Sequence, residues 1–361
     1  MYNKFSKQYV DYLESFKRIG LISFKKIKPI RPKLGDYVSM MILRDILFST
    51  YSLSPNTYIP YLYSWGKFIG NVASEQSLKA LDISLITKIL TKLHSIKLLE
   101  NDIYKDILTK TWANVKSIPE ISYVDTKAGV FRIKVIESDE SWGLPKINKP
   151  VDFFNGGIMA GSTENLISRK VNVTETKCVC MNNYDYCEFL GKVNGDFPKF
   201  GKYSKKDFIK IKNHIRDNFI KDHRFREILG DYTHISSLQV TYLGLWLYSP
   251  GMHTLLYWIG KETGKYISKK IKGKNKLNEL KRIMKKLKIG IISINKNNKK
   301  FSIKLEESAF SYGAKNIGKK IDSYLAGLFA GYLSHIYRKH YNIIETKCIA
   351  NGDKYCEFVA L

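Results

Sequence analysis

Glu345-Thr346-Lys347-Cys348-Ile349-Ala350-Asn351-Gly352-Asp353-Lys354-Tyr355-Cys356-Glu357-Phe358 closes the chain, and its wording already occurs at Glu175-Thr176-Lys177-Cys178 and Cys187-Glu188-Phe189. Each copy reads as a β-hairpin, with Asn351-Gly352 tolerating the positive φ of the second turn. A three-residue loop at 351–353 sets Cys348 across from Cys356, and a four-residue loop at 181–184 sets Cys178 across from Cys187. Opposed side chains have Cβ atoms about 4.5 to 5.5 Å apart, close enough for a shared metal ion or a disulfide. Along an extended strand Glu345 and Cys348 have opposite parity, so both reach one ion only where the strand ends or bulges between them.

Working outward, the match continues upstream at a fixed offset of 170. Asp152, Gly157 and Gly161 become Asp322, Gly327 and Gly331; Phe131, Ile133, Glu137 and Ser138 become Phe301, Ile303, Glu307 and Ser308. Further upstream the offset is 194, where Leu62-Tyr63, Gly66-Lys67 and Gly70 match Leu256-Tyr257, Gly260-Lys261 and Gly264. Leu34-Gly35-Asp36-Tyr37 and Leu229-Gly230-Asp231-Tyr232 open the copies. The chain is thus a duplication. It divides into a first domain at 1–190 with an N-terminal extension and a helical insertion, an exposed Gly- and Lys-rich linker at 191–204, and a second domain at 205–361 expected to fold alone.

The combination Asp-x4-Gly-x3-Gly, an extended segment, Glu-x2-Cys and a second Cys eight or nine residues later resembles the 4-vinyl reductase (4VR) domain family, in two tandem copies. The family shares its fold with subunits of the TRAPP vesicle-tethering complex. That implies an α+β fold: two domains, each an antiparallel sheet packed with helices, arranged as a pseudo-symmetric pair. Ligand-sensing members bind small aromatics in a cavity between helices and sheet, and hold a zinc with a Cys, a Glu and two further Cys. By this resemblance the metal ligands are Asp152, Glu175, Cys178 and Cys187 in one copy, and Asp322, Glu345, Cys348 and Cys356 in the other. Asp152 and Asp322 depart from the family, standing where it has Cys; a shell of two thiolates and two carboxylates is still acceptable to zinc.

At 361 residues the chain has room for two cores. It has no apolar run of membrane-spanning length, and Met1-Tyr2-Asn3-Lys4 does not open a signal peptide, which points to a cytoplasmic protein. All five cysteines lie in the hairpins, so they indicate local chemistry rather than a secreted disulfide framework, with Cys180 left over. Sixty basic residues against 33 acidic ones give a net charge of +27, which draws anionic partners. The densest stretch, 265–300, has 14 Lys or Arg and one acidic residue, Glu279. Leu277, Leu280, Ile283, Met284 and Leu287 recur there at helical spacing, so its lysines read as the wet side of an amphipathic helix before they read as a nucleic-acid surface.

Helices are expected around Tyr9–Phe16, over Tyr37–Thr50, Tyr58–Val72, Ile103–Val115, Ile235–Tyr248 and Met252–Tyr266, and after Asp82 as N-cap. Ile121–Val124 with Val130–Ile136, and Ile289–Ile294 with Phe301–Leu305, form further hairpins. The helices after Asp152 and Asp322 carry glycines four apart, which cost about 1 kcal/mol each unless they allow close backbone approach. Tyr63, Trp65 and Phe68, with Trp246, Tyr257 and Trp258, are the candidate ligand-binding aromatics, and the apolar helices around Trp246 and Trp258 favour the second copy.

No Ser-His-Asp order, nucleophile elbow, P-loop or dinucleotide fingerprint occurs, so catalysis has no support in the sequence. The reading is an intracellular binder or sensor of a small hydrophobic or aromatic molecule, with a zinc in each copy and a protein partner for its output. The rivals are a ligand-free interaction scaffold and a basic nucleic-acid-associated protein using 265–300.

Overall fold

Val130–Ile136 alternates buried and half-buried residues, and it pairs with Ile118–Asp125 across a turn whose Gly129 has φ +67°, where a side chain would be strained. These strands open the first of two four-stranded sheets. The computed structural model describes residues 29–80, 96–100, 117–221, 223–249, 251–273, 275–297, 300–314 and 317–361. The helices expected around Tyr9–Phe16, after Asp82 and over Ile103–Val115 lie outside them.

In chain order the elements are β1 (Tyr37–Ser39), α1 (Met40–Leu53), α2 (Pro55–Ala80), β2 (Ile118–Asp125), β3 (Val130–Ile136), α3 (Phe153–Ile167), β4 (Val171–Lys177) and β5 (Cys187–Val193). Then come α4 (Lys205–Asp217), β6 (Tyr232–His234), α5 (Ile235–Tyr248), α6 (Met252–Lys270), α7 (Lys276–Lys286), β7 (Ile291–Asn297), β8 (Lys300–Glu306), α8 (Ser323–Tyr337), β9 (Ile343–Lys347) and β10 (Cys356–Ala360). The first sheet runs β2-β3-β5-β4 and the second β7-β8-β10-β9, both wholly antiparallel. The fold is α+β, and the repeat found in the sequence reappears as one strand order used twice.

The chain forms two compact units, which do not follow chain order. The first-sheet unit comprises Phe48–His214 with Arg224–Asp231; the second-sheet unit comprises Ile215–His223 and Tyr232–Leu361 with the residues up to Leu47. Each unit therefore takes in the Leu-Gly-Asp motif that opens the other copy. In the second-sheet unit the buried Arg31 guanidinium donates to the carbonyls of Gly35 (2.7 Å), Lys288 (2.7 Å) and Glu307 (3.2 Å), while the Glu307 carboxylate accepts the backbone N–H groups of Lys33 and Leu34. In the first-sheet unit Arg226 donates to the carbonyls of Gly230 (2.6 Å) and Glu137 (3.1 Å), and the Glu137 carboxylate accepts from the N–H groups of Ile228 and Leu229. The two latches are the same device. A further tie in the second-sheet unit is Asp45, fully buried, which accepts from Arg216 Nε (2.8 Å), Thr263 Oγ1 (2.6 Å) and Tyr324 OH (2.7 Å).

Glycines set the helix pairs. A Cβ at Gly66 or Gly70 on α2 would land on backbone of α3, and one at Gly157 or Gly161 on α3 would land on backbone of α2. Gly260 and Gly264 on α6 face Gly327 and Gly331 on α8 in the same way. The close approach is thus to another helix, and it replaces the propensity lost at each glycine with backbone packing. Helix α7 buries Leu280, Ile283 and Met284, as the spacing in 265–300 indicates, and leaves Lys281 and Lys285 exposed.

Residues 191–204 are more than a spacer. Val193 ends β5, and the Asn172 amide holds the carbonyls of Gly195 and Asp196 at 2.8 and 2.9 Å. Three aromatics then turn the segment inward: Phe197 and Phe200 meet the Tyr63 ring edge-on, and Tyr203 meets Phe153 at 5.2 Å with its OH on the Pro150 carbonyl at 2.7 Å.

Candidate functional site

The hairpins carry the register that the loop lengths imply. Lys177 pairs with Glu188 and Lys347 with Glu357, so the next step outward opposes Cys178 to Cys187 and Cys348 to Cys356. The strand register slips between Glu175 and Lys177, and again between Glu345 and Lys347, so a bulge lies at Thr176 and at Thr346. Each threonine hydroxyl turns back onto its partner strand, to the carbonyls of Glu188 (3.1 Å) and Glu357 (3.2 Å). The bulge resolves the parity conflict: it brings Glu and the first Cys to one side. All five cysteines are buried free thiols, with Cys178 and Cys187 sulfurs 3.9 Å apart.

Two donor sets result. Ligand atoms of Asp322, Glu345, Cys348 and Cys356 all lie within 4.8 Å of one another, as do those of Glu175, Cys178 and Cys187. Either group could hold a metal ion. The difference lies in the Asp. Asp322 accepts the hydroxyls of Ser308 (2.9 Å) and Ser311 (3.1 Å) on one oxygen, Oδ2, and its Oδ1 is buried without a hydrogen-bond partner. Asp152 takes Ser138 on Oδ1 (2.9 Å) and Ser141 on Oδ2 (2.7 Å), so both oxygens are engaged and it stands outside the three-donor set. Both glutamates receive backbone N–H groups on Oε2, Glu175 from Val151 and Asp152, and Glu345 from Asp322; Oε1 of each is buried and unpartnered.

Burial dominates the electrostatics. It pushes Asp152, Glu175, Asp322 and Glu345 above the carboxylate range, with each Glu raised further by its neighbouring Asp. It also pushes up the thiols of Cys178, Cys187 and Cys356, while the hydrogen bond from Cys356 holds Cys348 down. Buried oxygens with no donor and protonated thiols at touching distance make a poor end state on their own, because an unmade hydrogen bond costs about 1–3 kcal/mol. A cation fits both sets.

The first-sheet unit adds polar groups that the repeat comparison did not single out. Where the second copy has Ala309-Phe310, the first has Asp139-Glu140, all of them buried. Glu140 accepts from Tyr51 OH (2.9 Å) and from the N–H of Asn155 (3.1 Å), near the start of α3. At the corresponding place Phe310 stacks on Tyr324 and meets Tyr242 edge-on. The signal was the one mismatch inside Ser-x-x-Ser at offset 170.

Beside the three-donor set lies a cavity of about 290 Å³. Its walls are aromatic, from Tyr63, Phe153, Phe200 and Tyr203, and Asp152 and Glu175 form its polar end. Of the sequence candidates, Tyr63 lines it and fixes its OH on the Val173 N–H at 2.9 Å. Trp65 and Phe68 stack on each other at 5.4 Å and are absent from the lining. In the second-sheet unit Tyr257 repeats the tyrosine bond, taking the Ile343 N–H at 3.3 Å; Trp246 is 4% exposed against His253, and Trp258 is 53% exposed with Lys261 over its ring. Phe200 and Tyr203 were missed because Gly and Lys gave 191–204 the composition of a linker; its aromatic spacing was the available sign.

A family model for the vinyl-4-reductase (4VR) domain matches residues 301–361. An uncharacterized protein of Methanocaldococcus jannaschii is 34% identical over 152 residues, which is 42% of this chain and 87% of that protein. A crystal structure of a vinyl-4-reductase family protein from the same organism is 29% identical with a TM-score of 0.26, over 29% of this chain and 66% of that one. The phenol-responsive sensory domain of the transcription activator PoxR, solved with phenol, is 17% identical with a TM-score of 0.28, over 42% of this chain and 74% of that one. Among the described residues no helix is long and apolar enough to cross a membrane.

Proposed function

Since the chain belongs to the 4VR domain family, we propose that it binds a small aromatic or otherwise hydrophobic molecule and acts as a sensor or carrier of it. The observation that carries this is the cavity of about 290 Å³ in the first-sheet unit. Four aromatic side chains wall it and two buried acids close one end. Apolar walls with a few converging polar groups are the usual form of a small-molecule site, and its size suits one ring system with short substituents. Tyr63, Phe153, Phe200 and Tyr203 supply contact area; Asp152 and Glu175, kept neutral by burial, offer hydroxyl hydrogens as well as acceptor oxygens. The binding copy on this reading is the first.

The donor sets fit zinc, held by Asp322, Glu345, Cys348 and Cys356 in one unit and by Glu175, Cys178 and Cys187 in the other. A bound zinc supplies no reaction here; it satisfies the orphaned oxygens and links hairpin folding to metal affinity. The protein groups do the rest: the Thr176 and Thr346 bulges aim the carboxylates, and the serine pairs hold the aspartates. Ligand occupancy changes the packing of the 197–203 segment, which is the surface through which a bound state can be reported to a partner.

Native mass spectrometry of the purified full chain, with elemental analysis and thermal shifts against phenols, indoles and aromatic acids, tests the reading. A retained organic mass, or a thermal shift that Tyr203→Ala abolishes, supports it. Absence of both, with the chain folded, removes it.

A further inference from the structure

We propose that the two donor sets are built for different tasks: the second closes its ion with four protein donors, whereas the first offers three and takes its fourth from an anionic oxygen of the molecule in the cavity. This deepens the ligand-and-metal reading above and rests on it.

The asymmetry comes from side chains already placed. Among the described residues the second set has four ligand atoms in mutual reach and the first has three. Asp322 gathers both serine hydroxyls on Oδ2 and turns a bare Oδ1 inward; Asp152 spends one oxygen on each serine. Four donors of thiolate and carboxylate type make a closed site, and three donors leave a position for an exogenous ligand. In the first unit that position has somewhere to go. Glu175 belongs at once to the donor set and to the lining of the cavity, and its Oε1 is buried without a hydrogen-bond partner. The donor set and the cavity thus share a wall.

The mouth fixes the sign of the ligand. Lys149, Lys199 and Lys202 are on the cavity lining beside its aromatic residues. Lys149 is turned onto Asp207 (2.8 Å), while Lys199 and Lys202 are exposed at the rim. Cations outside, rings along the walls and a donor set at the far end select an aromatic carboxylate or phenolate over a neutral hydrocarbon of the same size.

The test uses the full chain, stripped of metal by chelator under reducing conditions and reloaded with cobalt(II), with benzoate as the probe. Two cobalt equivalents are expected. Benzoate is expected to change the visible ligand-field bands of one and leave the other unchanged; Cys348→Ser should remove the silent one and Cys187→Ser the responsive one. In the zinc-loaded chain one equivalent should be released to chelator at least about tenfold faster than the other, since even changes outside the ligand shell alter metal affinity by 10–100-fold, and benzoate should slow that release. This second measurement needs no variant. Two cobalts that are both indifferent to benzoate, or a responsive cobalt that disappears with Cys348→Ser, overturn the inference and leave the metal reading standing. A chain that takes up no cobalt overturns both.

Discussion

Replacing Asp45 with Ala probes the tie between the N-terminal segment and the second-sheet unit. The carboxylate is fully buried and carries three charge-assisted bonds, from Arg216 Nε, Thr263 Oγ1 and Tyr324 OH at 2.6 to 2.8 Å. Removing one partner of a buried ion pair costs about 3–5 kcal/mol, because the other charge stays in a low-dielectric setting. The Tyr324 hydroxyl also loses its acceptor, which adds about 1 kcal/mol. The expected loss is about 4–6 kcal/mol. At about 2–4 °C per kcal/mol for a body of 150–250 residues, calorimetry should show the transition of this unit falling by about 10–20 °C. Asp45→Leu combined with Arg216→Met should recover at least half of that, since an apolar pair of similar volume replaces a buried ion pair at little cost. A fall of less than about 4 °C in Asp45→Ala, or a double variant no better than the single, would refute the account.

Other outcomes follow from the same structure. His234 accepts the Ser236 N–H at 3.3 Å as the cap of α5, and burial lowers it from 6.5 to about 4. The folded chain thus takes up this proton only near pH 4, while the unfolded chain takes it up near 6.5. Its contribution, at most about 3 kcal/mol, is present above pH 6.5 and lost as pH falls toward 4; melts of His234→Asn, which keeps a cap acceptor, should lose that slope, and an unchanged slope would clear His234 of the role. Gly331→Ala puts a methyl onto the Lys261 carbonyl, and overpacking of about 1–3 kcal/mol should outweigh the helix propensity gained; a variant that melts at or above the parent temperature would show that the helices can separate. Residues 205–361 expressed alone lack Arg31 and Asp45, so the fragment should melt without cooperativity until a peptide spanning 29–53 is added. A cooperative melt in the bare fragment would return the fold to the plain chain-order division.

Much of this was legible in the sequence because duplication repeats every local requirement. The hairpins, their cysteine register, the need for a bulge between Glu and Cys, and the glycine faces of α3 and α8 each follow from spacing or steric demand within a few residues. What spacing cannot tell is which copy a motif will meet. Arg31 bonds to Glu307, 276 residues away, and Arg226 to Glu137, yet exchanging the two acids would leave every pattern intact. Identical latches encode no preference between partners. The divergence of Asp152 from Asp322 was equally invisible, because it depends on whether two serine hydroxyls share one carboxylate oxygen or take one each.

The glycine contact between α2 and α3 has a kinetic consequence for the cavity. Tyr63 stands on one of these helices and Phe153 with Gly156 on the other. Their backbones touch at Gly66, Gly70, Gly157 and Gly161, so those two walls cannot part without opening a seam along several turns. The third wall is fastened far more lightly, through the Asn172 amide, the Tyr203 hydroxyl and the edges of a few rings. A bound molecule must therefore leave past Phe200 and Tyr203. Its residence time is set by how often those few anchors release together, and it is decoupled from the stability of the fold that surrounds it.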